Sequence, residues 1–375
     1  MTQPSLGPVI AIDARLVGYA AGIAQYARLL IDALMALDGP ERYVVLRGRR
    51  GRAEQTGSSG IRQRKTFTPP HNKLERWTLP IELLARRPWP ALLHSVDHVA
   101  PAWRKWRSVV TLHDLAFLLY PETHTLESRA YYAACAQSVR AAERVIAVSQ
   151  RTASDAVRLL GVDPARMRVV PEAAAPGYGP RDDEAFQITV RRLHLDHRPY
   201  ALFVGTLEPR KNVPLLLDAF VQVRKQLDAQ LLVVGGRGWL DESIFVAHAR
   251  SGLGDAARFL GSLDQDDLAS LYSHAGVFVL PSLYEGFGLP VLEAMACGAP
   301  VVCSNAGPLP EVAGDAAILL TPEDAGAWAG AIVSMLTDAH QANELRQRGF
   351  ERAKAFSWER AAQATREVYR EALLA

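Results

Sequence analysis

A chain of 375 residues is long enough for two or three domains, and 49% hydrophobic with 22% charged residues is the composition of a globular protein rather than a fibrous or disordered one. No run of about 18 apolar residues exists to span a bilayer, and Val9–Ile12 is too short for a leader's apolar core and reads as a first strand. The net charge of +2 hides an asymmetry: residues 1–175 hold 24 Lys/Arg against 15 Asp/Glu, and residues 176–375 hold 18 against 25.

In chain order, short β-rich apolar runs alternate with longer runs of helical period. The first half offers strands at Val9–Ile12, Tyr43–Leu46, Ala91–Leu93, Val109–Leu112, Val145–Val148 and Val169–Val170. Between the first two, Ile23, Tyr26, Leu30, Ala33, Leu34 and Leu37 share one helical face. The second half offers Tyr200–Val204, Leu231–Val234, Val277–Leu280, Val301–Cys303 and Ile318–Leu320, with helices at Val213–Leu227 and Leu268–His274. This alternation, made twice, predicts an α/β chain of two Rossmann-like parallel-sheet domains, whose ligands sit at the carboxyl ends of the strands. The Pro/Gly-rich stretch after Pro171 marks the boundary, giving domains at 1–175 and 176–355 with a last helical segment at 356–375.

Three cysteines, Cys135, Cys297 and Cys303, form an odd set without metal-ligand spacing, which predicts buried thiols in a reducing, cytoplasmic setting. The basic excess concentrates in Arg47–Arg52, Arg62–Lys65 and Trp103–Arg107. It suits anionic lipid headgroups or pyrophosphate, with a peripheral contact at the inner face of a membrane. The two tryptophans of the last cluster favour an interfacial contact. No nucleic-acid module accompanies these charges, so nucleic acid is not an expected partner.

The chemistry concentrates after the strand Val277–Leu280, in Pro281-Ser282-Leu283-Tyr284-Glu285-Gly286-Phe287-Gly288-Leu289-Pro290-Val291-Leu292-Glu293. Glycines at 286 and 288 admit close approach of a ligand to the backbone. Pro290 suits the first turn of a helix whose positive end then faces the loop. A second loop, Gly205-Thr206-Leu207-Glu208-Pro209-Arg210-Lys211-Asn212, places two cations after a strand and before a helix, a natural clamp for a diphosphate. Such loops suit a nucleotide sugar.

The first of these stretches resembles the E-x(7)-E motif of the family 4 retaining glycosyltransferases, which have the GT-B fold: two Rossmann-like domains facing a central cleft. The resemblance spans nearly the whole chain. It implies Glu285, Phe287, Gly288 and the adjoining Leu289 at the donor sugar, Glu293 on the ribose, and Arg210 and Lys211 on the donor diphosphate. Many members carry an arginine directly after the glycine, where this chain has Thr206. His113, in Thr111-Leu112-His113-Asp114-Leu115, resembles the histidine that faces the donor sugar. Gly22, opening the first helix after Asp13-Ala14-Arg15, resembles the glycine-bearing first loop. The final segment Phe356-Ser357-Trp358-Glu359-Arg360 and the helix after it resemble the one that crosses back to the first domain.

The resemblance therefore implies an enzyme that moves a hexose from a nucleotide diphosphate sugar with retention of configuration and without an obligatory divalent cation. GDP-mannose is the first-choice donor, from likeness to the bacterial mannosyltransferase branch. A glycan or lipid-linked acceptor of surface polysaccharide is expected. The alternative on the same fold is a non-catalytic nucleotide- or carbohydrate-binding protein, whose mark would be loss of Glu285, Lys211 or Glu293; all three are present. A nicotinamide dehydrogenase is disfavoured because Asp241 replaces the third glycine after Gly236 and Gly238. His94 and His98 lie four apart, but the segment lacks helical pattern and a glutamate base, so no zinc site is expected.

Overall fold

A computed structural model of the protein describes residues 7–17, 22–48, 62–72, 74–85 and 87–375. Two compact units emerge. One comprises the described residues up to Leu119 with Leu126–Glu172 and Ser357–Ala375, and the other Tyr120–Thr125 with Ala173–Phe356.

The first unit is built on a seven-stranded sheet in the order β3-β2-β1-β4-β5-β6-β7. Its strands are β1 (Val9–Asp13), β2 (Arg42–Arg47), β3 (Arg62–Lys65), β4 (Leu92–Ser95), β5 (Arg107–Leu112), β6 (Arg144–Ala147) and β7 (Met167–Val169). All pairings are parallel, as in β1 against β4, where Ile12 sits opposite His94 and Asp13 opposite Ser95. Strand order reverses between β1 and β4, the place where doubly wound sheets open a crevice. The central strands are buried on both faces, which is why they read as continuous apolar runs.

Helix Gly22–Ala36 buries Tyr26, Leu30 and Leu34 against this sheet side. The final helix, Trp358–Leu374, packs beside it. Ser357 caps the final helix, its side chain accepting from Arg360 N–H. Its buried residues Trp358, Ala361, Thr365, Val368, Tyr369 and Ala372 recur at three- and four-residue steps along one face. Trp358 stands edge-on to Tyr26 at 5.9 Å.

The second unit repeats the plan with six strands in the order β10-β9-β8-β11-β12-β13. They are β8 (Tyr200–Val204), β9 (Gln230–Val234), β10 (Ala257–Gly261), β11 (Val277–Leu280), β12 (Val301–Ser304) and β13 (Ala317–Leu320). The Gly235–Gly238 stretch has a packing reason. A Cβ on Gly235 would lie 1.9 Å from the Gly205 carbonyl oxygen, and one on Gly238 2.7 Å from that of Leu207. These glycines let the loop after β9 lie on the loop after β8, and Asp241 pairs with Arg237 at 2.6 Å.

Among the described residues no helix is long and apolar enough to cross a membrane. The three thiols are buried and unpaired, and burial pushes those of Cys297 and Cys303 up to about 12. The expected basic face needs correction. Arg47 is buried as the end of β2, and Trp106 packs into the core with Leu46, Leu79 and Leu93. Arg104 and Arg107 both reach Glu143, at 3.2 and 3.7 Å. Arg49, Arg50 and Arg52 lie outside the described residues.

Candidate active site

In the second unit the two loops singled out by sequence come together. After β8 the chain makes a short turn, Pro209–Lys211, before helix Val213–Arg224. After β11 it runs through Ser282 and Glu285 to helix Leu289–Cys297, with Pro290 in its first turn. Leu283 N–H donates to the Arg210 carbonyl at 2.9 Å and ties the loops. Lys211 Nζ donates to Glu285 Oε1 at 2.6 Å, and Arg210 Nη1 to Glu285 Oε2 at 2.9 Å. Arg210 also donates to the Tyr284 carbonyl and to Glu208. Ser282 Oγ adds a 2.6 Å bond to Glu285 Oε1.

Glu285 and Lys211 are both buried. Burial alone would raise the Glu285 pKa, but Lys211 and then Arg210 outweigh it and hold the carboxyl at about 2. At neutral pH this group is therefore a carboxylate and an acceptor of hydrogen bonds, not an acid.

The backbone around Glu285 is shaped by Gly288. It sits at φ +103°, and a Cβ there would meet Leu309 at 2.5 Å. It caps helix Leu289–Cys297, whose first turn has N–H groups without partners inside the helix. Leu289, half-buried, opens that helix. The Phe287 ring is buried edge-on to Phe356 at 5.8 Å, so Phe287 can meet a ligand only through its backbone. Glu293, eight residues past Glu285, is buried on the same helix and accepts from the Tyr272 hydroxyl at 3.3 Å. Ser282, Glu208 and Tyr272 are the partners that the sequence reading passes over; Ser282 and Glu208 lie inside the quoted motifs, whereas Tyr272 reaches Glu293 from helix Gln265–His274.

In the first unit, His113 follows β5 and is largely buried. Its Nε2 lies 2.8 Å from the Val96 carbonyl and its Nδ1 3.3 Å from Glu172. Gly22 is exposed at the start of its helix, with nothing within 4 Å of a built Cβ; residues 18–21 of that loop lie outside the described residues. His94 and His98 do not converge. His94 is wholly buried between Thr111 and Tyr369, at 2.8 and 2.7 Å, and burial drives its pKa down to about 3. His98 bonds to Asp97 and to the Asp114 carbonyl.

A polar pocket that sequence does not announce opens where β1 and β4 end. Asp13, Arg15, His71, Glu75, Asp97 and Tyr131 are among the residues that line it. Arg15 is buried and clamped by both oxygens of Asp13, at 2.7 Å each, with Glu75 at 3.2 Å. The Tyr131 hydroxyl donates to Glu75. Asp97 accepts from His71 at 3.0 Å and from His98 at 2.6 Å; burial opposes its ionisation, but the two histidines hold it far below the usual carboxylate range. The Ser95 hydroxyl, buried in the same wall, has no hydrogen-bond partner in the structure. Only Asp13 and Arg15 stand in a motif; the others arrive from distant segments, Glu75 and Tyr131 from helices Glu75–Leu84 and Leu126–Tyr132.

Comparison with known proteins agrees with this architecture. The family described as "Glycosyltransferase Family 4" matches residues 20–176, and "Glycosyl transferases group 1" matches residues 187–352. The O-antigen chain mannosyltransferase B of Escherichia coli is 36% identical over 70% of this chain and 70% of its own length. The sucrose-phosphate synthase of Thermosynechococcus elongatus superposes with a TM-score of 0.78 at 26% identity, covering 97% of this chain and 98% of that one. Anabaena HepE, in complex with UDP and glucose, shares the fold at a TM-score of 0.77 and 20% identity, over 97% of this chain and all of its own. With both halves matched in turn and each unit built as a Rossmann-like sheet, the chain belongs to the family 4 glycosyltransferases of GT-B fold.

Proposed function

We propose that this glycosyltransferase moves a hexose, mannose from GDP-mannose in the first instance, onto a glycan or lipid-linked acceptor of surface polysaccharide, with retention of anomeric configuration. The carrying observation is the triad of buried Glu285 and Lys211 with the partly buried Arg210. The mannose and the polysaccharide are supported by the relative whose name gives it O-antigen mannosyl transfer.

The donor diphosphate binds beside Lys211 and Arg210. An ammonium has three donors and Glu285 takes one, so Lys211 can hold a phosphate oxygen and the carboxylate together. As the sugar–phosphate bond breaks, charge grows on the departing diphosphate, and these two cations with the amides opening helix Leu289–Cys297 stabilise it. In this proposal Lys211 and Arg210 take the part that a divalent ion plays elsewhere, so no obligatory metal enters it. Glu285 accepts sugar hydroxyls and orients the ring; both its oxygens already accept from cations, which blunts it as a nucleophile. Glu293 holds the ribose. His113 is kept as a sugar contact on the strength of the family resemblance alone; within the first unit its Nδ1 lies 3.3 Å from Glu172. The pocket of Asp13, Arg15, His71 and Asp97 takes acceptor hydroxyls, supported by its place where strand order reverses.

The test is release of free nucleotide from a panel of GDP- and UDP-sugars with a glycan acceptor, with and without chelator, and the anomeric configuration of the product by NMR. Turnover with GDP-mannose that survives chelation and yields the donor's own configuration is expected. No release from any donor, or an inverted product, defeats the reading.

A further inference from the structure

Helix Glu75–Leu84 is apolar on two sides. Leu79 and Leu83 are buried and join the core with Val9, Leu46 and Trp106. On the opposite side Leu74, Trp77 and Ile81, three and four residues apart, are 64%, 56% and 61% exposed. Phe67, before the helix, and Trp89, after it, are 62% and 52% exposed. Single exposed apolar side chains are ordinary, but five large ones within residues 67–89 are not. Trp89 carries Arg87 over its ring at 4.8 Å.

The surroundings are basic. Residues 62–89 contain seven Lys/Arg and two acids, Glu75 and Glu82. Both acids are engaged within the fold: Glu75 is buried against Arg15 and Tyr131, and Glu82 accepts from the Phe67 and Thr68 amides at 2.8 and 3.1 Å. Arg62 and Lys65 are exposed on the edge strand β3, and Arg87 is exposed beside Trp89. Large apolar side chains with two tryptophans, framed by cations, have the chemistry of a helix lying in a lipid interface.

We propose that the face formed by Phe67, Leu74, Trp77, Ile81 and Trp89 docks on an anionic lipid membrane. Its apolar side chains enter the headgroup boundary while Arg62, Lys65 and Arg87 meet lipid phosphates. This locates the membrane contact away from the Trp103–Arg107 cluster, whose Trp106 faces the core. It rests on the lipid-linked acceptor reading for its purpose, since such a face would hold the enzyme where that acceptor lies.

The experiment is co-sedimentation of the full chain with vesicles of phosphatidylcholine alone or mixed with phosphatidylglycerol, at low and high salt, without donor or acceptor. The wild type is expected to bind the anionic vesicles, less at high salt, and the pair Trp77→Ser with Ile81→Ser to bind on the order of tenfold less or weaker still with an unchanged melting temperature. Absence of wild-type binding at low salt, or equal binding by the double variant, overturns the proposal. So does a wild-type dimer, seen by light scattering, that the two substitutions dissociate, for then the face joins copies of the chain. Nucleotide release in solution is expected to be equal in both proteins, and its failure in both would count against the transferase reading, not this one.

Discussion

Lys211 Nζ and Glu285 Oε1 meet at 2.6 Å although 74 residues separate them in sequence. Each group is a poor tenant of a buried site alone and an acceptable one as a pair. Lys211→Ala removes one of two cations from the carboxylate, and Arg210 and Ser282 retain it. Turnover is expected to fall by about 10²-fold, the usual effect of deleting one charge-stabilising donor, with weaker nucleotide binding by calorimetry. Unchanged affinity together with an unchanged rate removes Lys211 from the diphosphate.

The two glutamates separate by assay. Glu293→Ala is expected to raise the dissociation constant of free nucleotide, because its proposed partner is ribose. Glu285→Ala relieves Lys211 and Arg210 of their carboxylate and is expected to leave nucleotide binding nearly intact while transfer collapses. The opposite pattern in calorimetry reverses the assignment.

His71 is half-exposed at the rim of the first unit's pocket, so His71→Ala changes little of the fold. The acceptor KM is expected to rise several-fold with donor affinity unchanged. A variant with both constants at wild-type values takes the acceptor away from this pocket.

His94 gives a sign-specific pH dependence. Its folded pKa of about 3 lies below its ordinary 6.5, so the unfolded chain binds the extra proton between these values. Stability is therefore lost as pH falls from about 6.5 toward 3. Glu285, held at about 2, loses its contribution only below its ordinary 4.5. Burial disfavours charge on His71 and His98, but Asp97 outweighs it and raises both, so their contribution is present in full below 6.5 and is lost only as pH rises past it. Between pH 6.5 and 5 the loss from His94 is opposed by Glu75, which burial raises above its ordinary 4.5 and which therefore gains stability as pH falls, and His94→Asn is expected to remove the His94 share of the melting-temperature slope there. An equal slope in wild type and variant contradicts the assignment.

Tyr369→Phe leaves a buried ring nitrogen of His94 without its partner. The expected cost is about 1–3 kcal/mol, read by urea denaturation of the full chain. A change under a few tenths of a kcal/mol shows that the hydroxyl is dispensable.

The sequence makes the central strands plain and the edges obscure. β1, β8 and β11 are buried on both faces and spell apolar runs, whereas β3 reads Arg-Gln-Arg-Lys because an edge strand with one neighbour leaves its side chains in water. β10, at the other sheet's edge, is half-buried and equally silent. Motif residues 210, 211, 285 and 293 are legible because strand, glycine and charge fall close together. That Glu285 binds both cations is not, since nothing local encodes a pairing over 74 residues. The pocket of Asp13, Arg15, His71, Glu75, Asp97 and Tyr131 escapes for the same reason: its groups come from four separate stretches without a common spacing. Trp106 misleads because a tryptophan among arginines looks interfacial, and only the sheet packing shows it turned inward.

The return of helix Trp358–Leu374 to the first unit fixes an order of assembly during translation. His94 and Tyr26 lack their Tyr369 and Trp358 neighbours until the ribosome has passed through Phe356. At about 5–20 residues per second, the stretch from Glu172 to Tyr369 takes roughly 10–40 s. During that interval Ala173–Phe356, nearly contiguous, can close its own sheet while the earlier-made half waits with an uncovered flank. The part synthesised first is finished last, and that flank is where a chaperone would find this chain.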